Sequence, residues 1–201
     1  MTMSTSSGGR SGRRRGTTQT REAIVVAAQT QFAEVGYDRA TFRSIATAAG
    51  VDPALVVHFF GSKEQLFHEV MKLPAGLAGA IVDLAQGPRT EIGRRLAEVI
   101  VAGFENPASQ RIIVGRIRSA SQHPEAAELV RQAVAGDLAR LTAALDVDQP
   151  DVRAVLAGVQ VVGIALARYV VRVEPLASMP AERVIELLAP VFQRVLVEPL
   201  T

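Results

Sequence analysis

Cysteine and tryptophan are both absent from the 201 residues. Without cysteine there can be no disulfide, zinc ribbon, iron–sulfur site or thiol nucleophile. The absence fits a reducing cytosol. Aromatic residues make up only 4% of the chain, so any core must be built mainly from Ala, Val, Leu and Ile. Long uncharged runs are missing too. The longest, Ala154–Ala167, has fourteen residues, short of the roughly 18 expected of a membrane-spanning helix. The first 21 residues hold no apolar segment of the signal-peptide kind. These absences predict a soluble, cytoplasmic protein with no membrane partner. Acidic residues are also missing from the first 21 positions, which carry Arg10, Arg13, Arg14, Arg15 and Arg21. The net charge is +2, so the other 180 residues, with 17 basic and 20 acidic groups, carry −3. A basic arm on a mildly acidic body marks either a nucleic-acid partner or a solubilising terminus. Its Ser, Thr, Gly and Arg content cannot pack a core, so residues 1–18 are expected to be a disordered arm when free.

What the chain does contain is apolar material, 48% of its residues, enough for a large core in one or two domains. Pro and Gly cut the sequence into helix-length pieces, and no strand-like alternation stands out. Helices are expected near 20–36, 41–48, 53–60, 63–72, 75–86, 90–105, 108–121, 124–145, 150–172 and 180–197, which makes the fold class all-α. Six of the nine aromatic residues (Phe32, Tyr37, Phe42, Phe59, Phe60 and Phe67) fall within 20–72. Large rings fill the small core of a short helical unit efficiently. The aliphatic remainder predicts a helical bundle.

The most informative stretch is Ala40–Phe60. Thr41 can cap a helix whose apolar positions are Phe42, Ile45, Ala46 and Ala49. Gly50 suits a tight turn that needs positive φ. Asp52 and Pro53 are a start signal for a second helix, and Leu55 and Val56 continue its apolar face. Ala46, Gly50 and Val56 have helix-turn-helix spacing: close helix approach at Ala, a corner at Gly, and a second helix held against the first. The free face of that second helix can enter a major groove. An ordinary helical corner uses similar residues. Ser62 and Gln65 form a capping box at the head of the next helix.

Thr20-Arg21-Glu22-Ala23-Ile24, Phe32-Ala33-Glu34-Val35-Gly36-Tyr37, Thr41, Ile45-Ala46, Ala49-Gly50-Val51 and Phe60-Gly61-Ser62-Lys63-Glu64-Gln65-Leu66-Phe67 together resemble the DNA-binding domain of TetR-family (tetracycline-repressor-like) transcriptional regulators. The resemblance covers about 50 residues in register. Val159–Leu196, with Ala167-Arg168-Tyr169 and Glu174-Pro175-Leu176, resembles a C-terminal domain type of actinobacterial members. The resemblance implies an arm over 1–18, a helix-turn-helix domain over 19–66 and a ligand-binding and dimerisation domain over 67–201. It also implies a repressor that binds a palindromic double-stranded DNA operator as a homodimer and is released by a small-molecule effector.

By the same resemblance, Thr41, His58 and Lys63 match positions that touch phosphates, and Arg43 matches one that reaches a base edge in some members. Pro53, Ala54 and Val57 lie on the outward face of the recognition helix, where apolar groups can meet thymine methyls but cannot donate hydrogen bonds. The family usually has Tyr where Val57 stands, so a hydroxyl donor is missing. Arg13, Arg14 and Arg15 are candidates to compensate from the minor groove. The helix from Ser62 onward is expected to transmit ligand binding by tilting and changing the distance between recognition helices.

The helix Asp151–Arg172 is apolar nearly all round and so must be buried on more than one side. Val155, Val159, Val162 and Leu166, with Leu188, Val191 and Phe192 of the last helix, are the candidate dimer interface. Phe104, Ile113, Ile117, Val162 and Tyr169 are candidates for an effector pocket. Arg116, Arg118 and Arg168 interrupt apolar runs, and an inward Arg would suit an anionic ligand. No nucleophile–base constellation, phosphate loop or metal motif is present, and His58, His68 and His123 have no ligand spacing. No catalytic residue, metal or cofactor is therefore expected. The competing function classes are an enzyme and a protein-interaction bundle whose helix-turn-helix reads no DNA.

Overall fold

A computed structural model describes residues 11–72, 75–121 and 123–200, and among the described residues every regular element is helical. α1 spans Ser11–Arg39 and is broken near its end by Gly36, at φ 78° and ψ 177°. That backbone conformation belongs essentially to glycine. The turn brings Tyr37 into the core, stacked on Phe32 and edge-on to Phe67. The helix was expected to start near residue 20, with a disordered stretch ahead of it. Residues 11–18 instead continue α1, because no Pro interrupts them and Arg13–Arg15 are good helix formers. Residues 1–10, including Arg10, lie outside the described residues.

The short N-terminal helices start and stop at their expected caps. In α2 (Phe42–Ala49) the Ser44 amide donates to the Thr41 hydroxyl at 3.0 Å, and the Thr41 amide donates to the Ser44 hydroxyl at 3.1 Å. Gly50 ends the helix in the left-handed region, φ 67° and ψ 34°. The Ala54 amide donates to Asp52 at 2.7 Å, and Pro53 opens α3 (Pro53–Phe60). Ser62 and Gln65 cap α4 (Lys63–Val70) reciprocally. Asp and Ser oxygens here satisfy first-turn amides that have no partner within their helix.

The bundle comprises α5 (Ala75–Asp83), α6 (Ile92–Glu105), α7 (Pro107–Ala120), α8 (Pro124–Ala135), α9 (Asp137–Ala144), α10 (Pro150–Ala165) and α11 (Ala181–Val197). Two expected helices are reshaped. The segment 124–145 is parted at Gly136, the poorest helix former in the run. The helix after Pro150 passes into a π-helical turn over Leu166–Val171 and ends at Arg172 in the left-handed region.

Two cores form. The first joins Ile24, Phe32, Ile45, Val56 and Phe67 to Ile112 of α7 and Leu129 of α8. The second runs through α6, α9, α10 and α11. α6 crosses α11 closely at Gly93, where a Cβ would run into the backbone of Ala189 and Gln193. α10 turns Ala154, Ala157 and Ala165 into this core and leaves Val152, Val155, Leu156 and Val159 exposed, as is Leu166 at the start of the π-helical turn. Leu188 and Phe192, expected on the dimer face, are 7% and 0% exposed within one protomer. They are core residues, because the buried stripe of α11 runs through Val184, Ile185, Leu188, Phe192 and Leu196. Pro150–Val171 also corrects the estimate made from uncharged runs: over its 22 residues it is long and apolar enough to cross a membrane by length and composition. Of its three charges, Asp151 is exposed in the first turn, and Arg153 and Arg168 are buried in this protomer's own hydrogen bonds.

Candidate nucleic-acid interface and regulatory pocket

α2 and α3 pack through buried Ile45, Ala46 and Val56. Packing on that side turns the opposite face of α3 outward. Pro53, Ala54, Val57 and His58 are all exposed there, Val57 at 49%. Their spacing of one, four and five residues puts them on one side of the helix. Thr41, Arg43 and Thr47 share a shallow groove at the start of α2. Arg43 is exposed, and Thr41 is exposed although its hydroxyl is engaged as a cap. Lys63 is the exception among the expected contacts. It is half-buried, its ammonium 4.3 Å from the Tyr37 ring centre and donating to the Asp38 carbonyl at 3.2 Å. Burial pulls its pKa below the usual lysine value. The side chains of Arg13, Arg14 and Arg15 lie outside the described atoms, and their backbone continues α1.

α4 links this unit to the bundle, and its C-terminal end is held from two sides. Gln29 of α1 donates to the Val70 carbonyl at 3.0 Å. Arg116 of α7 donates through Nε to the Met71 carbonyl at 2.6 Å. α7 is therefore a bridge. One side meets the N-terminal unit, with Ile112 in its core, Gly115 against Met71, and the Ser119 hydroxyl accepting the Tyr37 amide at 3.0 Å. Arg118 adds a bond to the Glu34 carbonyl at 3.2 Å. This bridging role went unseen in the sequence. Its signal was two apolar stripes on one helix, Ile112 with Gly115 and Ile113 with Ile117.

The other side of α7 lines a cavity closed by α5, α6, α8, α9 and α10. Phe104, Ile113, Ile117 and Val162 all line it, as expected, together with Ile100 and Arg116. Its volume is about 90 Å³, smaller than the roughly 300–1,000 Å³ of typical small-molecule sites, so a ligand of that size enters only as the surrounding helices part. Val162 belongs to this cavity rather than to the exposed stripe of α10. Tyr169 does not line it. Its ring packs on Phe104 with centres 5.4 Å apart, and its hydroxyl donates to Glu105 at 2.8 Å. Burial, and then that bond, push its pKa up to about 12. Tyr169 instead borders a separate polar cleft with Arg111, Arg118, Arg168 and Arg172.

Residues 24–70 match the model of bacterial regulatory proteins of the tetR family, and residues 90–196 match the tetracyclin repressor-like C-terminal domain. The HTH-type transcriptional repressor AcnR of Corynebacterium efficiens is 36% identical over 87 residues, which span 43% of this chain and 42% of that protein. The match thus spans less than half of that curated relative. A crystal structure of a TetR-family regulator from Streptomyces coelicolor A3 is 34% identical, with a TM-score of 0.60, and covers 94% of this chain and 99% of that one. NalD, the secondary repressor of the MexAB-OprM multidrug efflux pump in Pseudomonas aeruginosa, shares the fold at 21% identity and a TM-score of 0.64, over 91% of this chain and 98% of that one. A capped helix-turn-helix joined through α4 to an all-helical bundle, with both parts matched by family models, shows that the chain belongs to the TetR family of bacterial regulatory proteins.

Proposed function

We propose that this chain is a cytoplasmic transcriptional repressor that binds a palindromic operator as a homodimer and is released by a small-molecule effector. The observation that carries the proposal is the path from the exposed face of α3, through α4, to a bundle helix that lines an apolar cavity. Repression is supported by the identity shared with AcnR. Thr41, Arg43, Pro53, Ala54, Val57 and His58 form the DNA surface. Lys63 joins it by exchanging the Asp38 carbonyl for a phosphate. Arg13–Arg15 extend α1 toward the duplex and add phosphate or minor-groove contacts. Two such surfaces, related by a dimer axis, must lie roughly 34–36 Å apart to meet successive major grooves.

Selection of bound sequences from random duplex DNA tests the proposal. The expected product is a palindromic consensus bound far more tightly than random DNA and weakened by Arg43→Ala. Removing residues 1–16 should lower affinity on every sequence and flatten its salt dependence, by about 0.9 in log–log slope per lost phosphate contact. If no sequence is enriched, α3 reads no bases and the chain is a protein-interaction bundle instead.

A further inference from the structure

Three arginines are buried among the described residues: Arg116, Arg153 and Arg168. Arg153 is paired with Asp148, and Arg168 with Glu105. Arg116 is 7% exposed, and no carboxylate among the described residues acts on it. It stands instead in the wall of the apolar cavity, beside Phe104, Ile113 and Ile117. Its Nε–H is spent on the Met71 carbonyl, the C-cap of α4. Helix-end carbonyls carry only a partial negative charge, so the cation is incompletely compensated. Burial pushes its pKa down to about 10, which still leaves it charged at neutral pH. An uncompensated buried cation is costly, and the cost is recovered when an anion arrives.

We infer that the effector of this pocket is a small amphipathic carboxylate, whose head pairs with Arg116 and draws it off the Met71 carbonyl, loosening the C-terminal end of α4. This inference rests on the ligand-responsive function proposed above. The wall offers one cation among apolar groups, which suits a monoanion with an apolar body rather than a polyanion. A guanidinium binds a carboxylate through two parallel, charge-assisted bonds, each roughly twice as strong as a neutral one. The Met71 carbonyl is a single neutral acceptor on Nε–H, and a carboxylate that pairs side-on through Nε and one Nη displaces it. The Gln29 bond to the Val70 carbonyl then remains as the other side-chain hold described above on that end of α4.

Calorimetric titration of the full-length protein at pH 7.5 tests this, using six- to twelve-carbon alkanoates and aryl carboxylates, each beside its alcohol or primary amide. The best carboxylate should bind at least about tenfold more tightly than its neutral counterpart. Arg116→Met should erase that gap while neutral counterparts keep their affinity, and Arg116→Lys should keep part of it. The comparison in the unaltered protein stands even if a variant fails to fold. The same carboxylate should release the selected operator from the unaltered protein. Neutral counterparts that bind as tightly and release the operator would overturn the carboxylate inference and leave the ligand-responsive function standing. Carboxylate binding untouched by Arg116→Met but lost in Arg118→Gln would move the anion to the polar cleft and overturn it as well. Carboxylate binding through Arg116 with unchanged operator affinity would overturn the release step. If neither class binds, both the inference and the effector pocket fall.

Discussion

Arg153 shows how one side chain can organise a helix end. It is 1% exposed, donates from Nη1 to the carbonyls of Val195 and Glu198 at 2.7 and 2.9 Å, and donates from Nε to the Asp148 carbonyl at 2.7 Å. It thereby ties the start of α10 to the last turn of α11. Arg153→Ala leaves those carbonyls without their donor and should cost on the order of 3 kcal/mol in urea unfolding. Its partner Asp148 is held below the usual carboxylate value by the Arg153 hydrogen bond. A depressed carboxylate stabilises the fold above its unfolded pKa, about 3.9, and that contribution is lost as pH falls through the folded value. Asp148→Asn should therefore flatten the acid side of the stability profile. Tyr37 acts at the opposite end of the scale. Burial, and then its hydrogen bond to Glu64 at 3.0 Å, raise its pKa well above the ordinary phenol value. A raised phenol stabilises fully below about pH 10, and the contribution is lost as pH rises toward the folded value. Tyr37→Phe should remove Tyr37's share of the alkaline slope, leave that of Tyr169, and cost about 1 kcal/mol at neutral pH for the lost bond. An unchanged alkaline slope would show that the Tyr37 phenol is as free in the fold as in the unfolded chain.

Helix contacts set which parts of the fold were legible beforehand. Caps are local, so Thr41, Asp52 and Ser62 announced α2, α3 and α4 through residues only two or three positions apart. The break at Gly136 and the π-helical turn at Leu166–Val171 were not legible, because the apolar spacing runs on across both. In the pocket, Phe104, Ile113, Ile117 and Val162 were found because large apolar groups on converging helices line whatever space remains. Tyr169 was misplaced because its hydroxyl is claimed by Glu105, 64 residues away. Leu188 and Phe192 were misplaced because spacing shows that a helix has an apolar stripe without saying which neighbour covers it. The α6–α11 crossing was equally invisible. At Gly93 the amide donates to the Gln193 side chain at 2.9 Å, and Gln193 in turn donates to the Arg89 carbonyl at 2.8 Å. Gly93→Ala would place a methyl against the backbone of α11, which cannot yield as a flexible side chain would. The two helices must separate, so thermal denaturation should show a loss of roughly 1–3 kcal/mol. Gly163→Ala meets open space within the protomer, so it should be neutral or gain up to about 1 kcal/mol in the isolated chain.

The whole molecule turns on what covers α10. Val152, Val155, Leu156 and Val159 are three or four residues apart, Leu166 follows seven residues on, and Leu187 and Val191 of α11 are exposed as well. Fully burying each such side chain is worth about 1.5–3 kcal/mol, so a stripe of this length favours a partner. A bilayer is a poor candidate, because the inner side of α10 already packs on α8, α9 and α11. Burying the outer side alone would leave those packed, polar-ended neighbours at the same depth. A second copy would present the same apolar stripe, and an isologous two-fold contact would cover both stripes at once. Val159 is 57% exposed, so Val159→Glu should leave the protomer folded while placing two carboxylates in the shared face. Light scattering should then report a dimer for the unaltered protein and a monomer for the variant. Operator affinity should fall steeply, because one helix-turn-helix would bind a single half-site. Retained dimer mass with unchanged operator affinity would remove this face from the assembly. Retained dimer mass with binding to anionic vesicles lost on substitution would assign the stripe to a membrane surface instead.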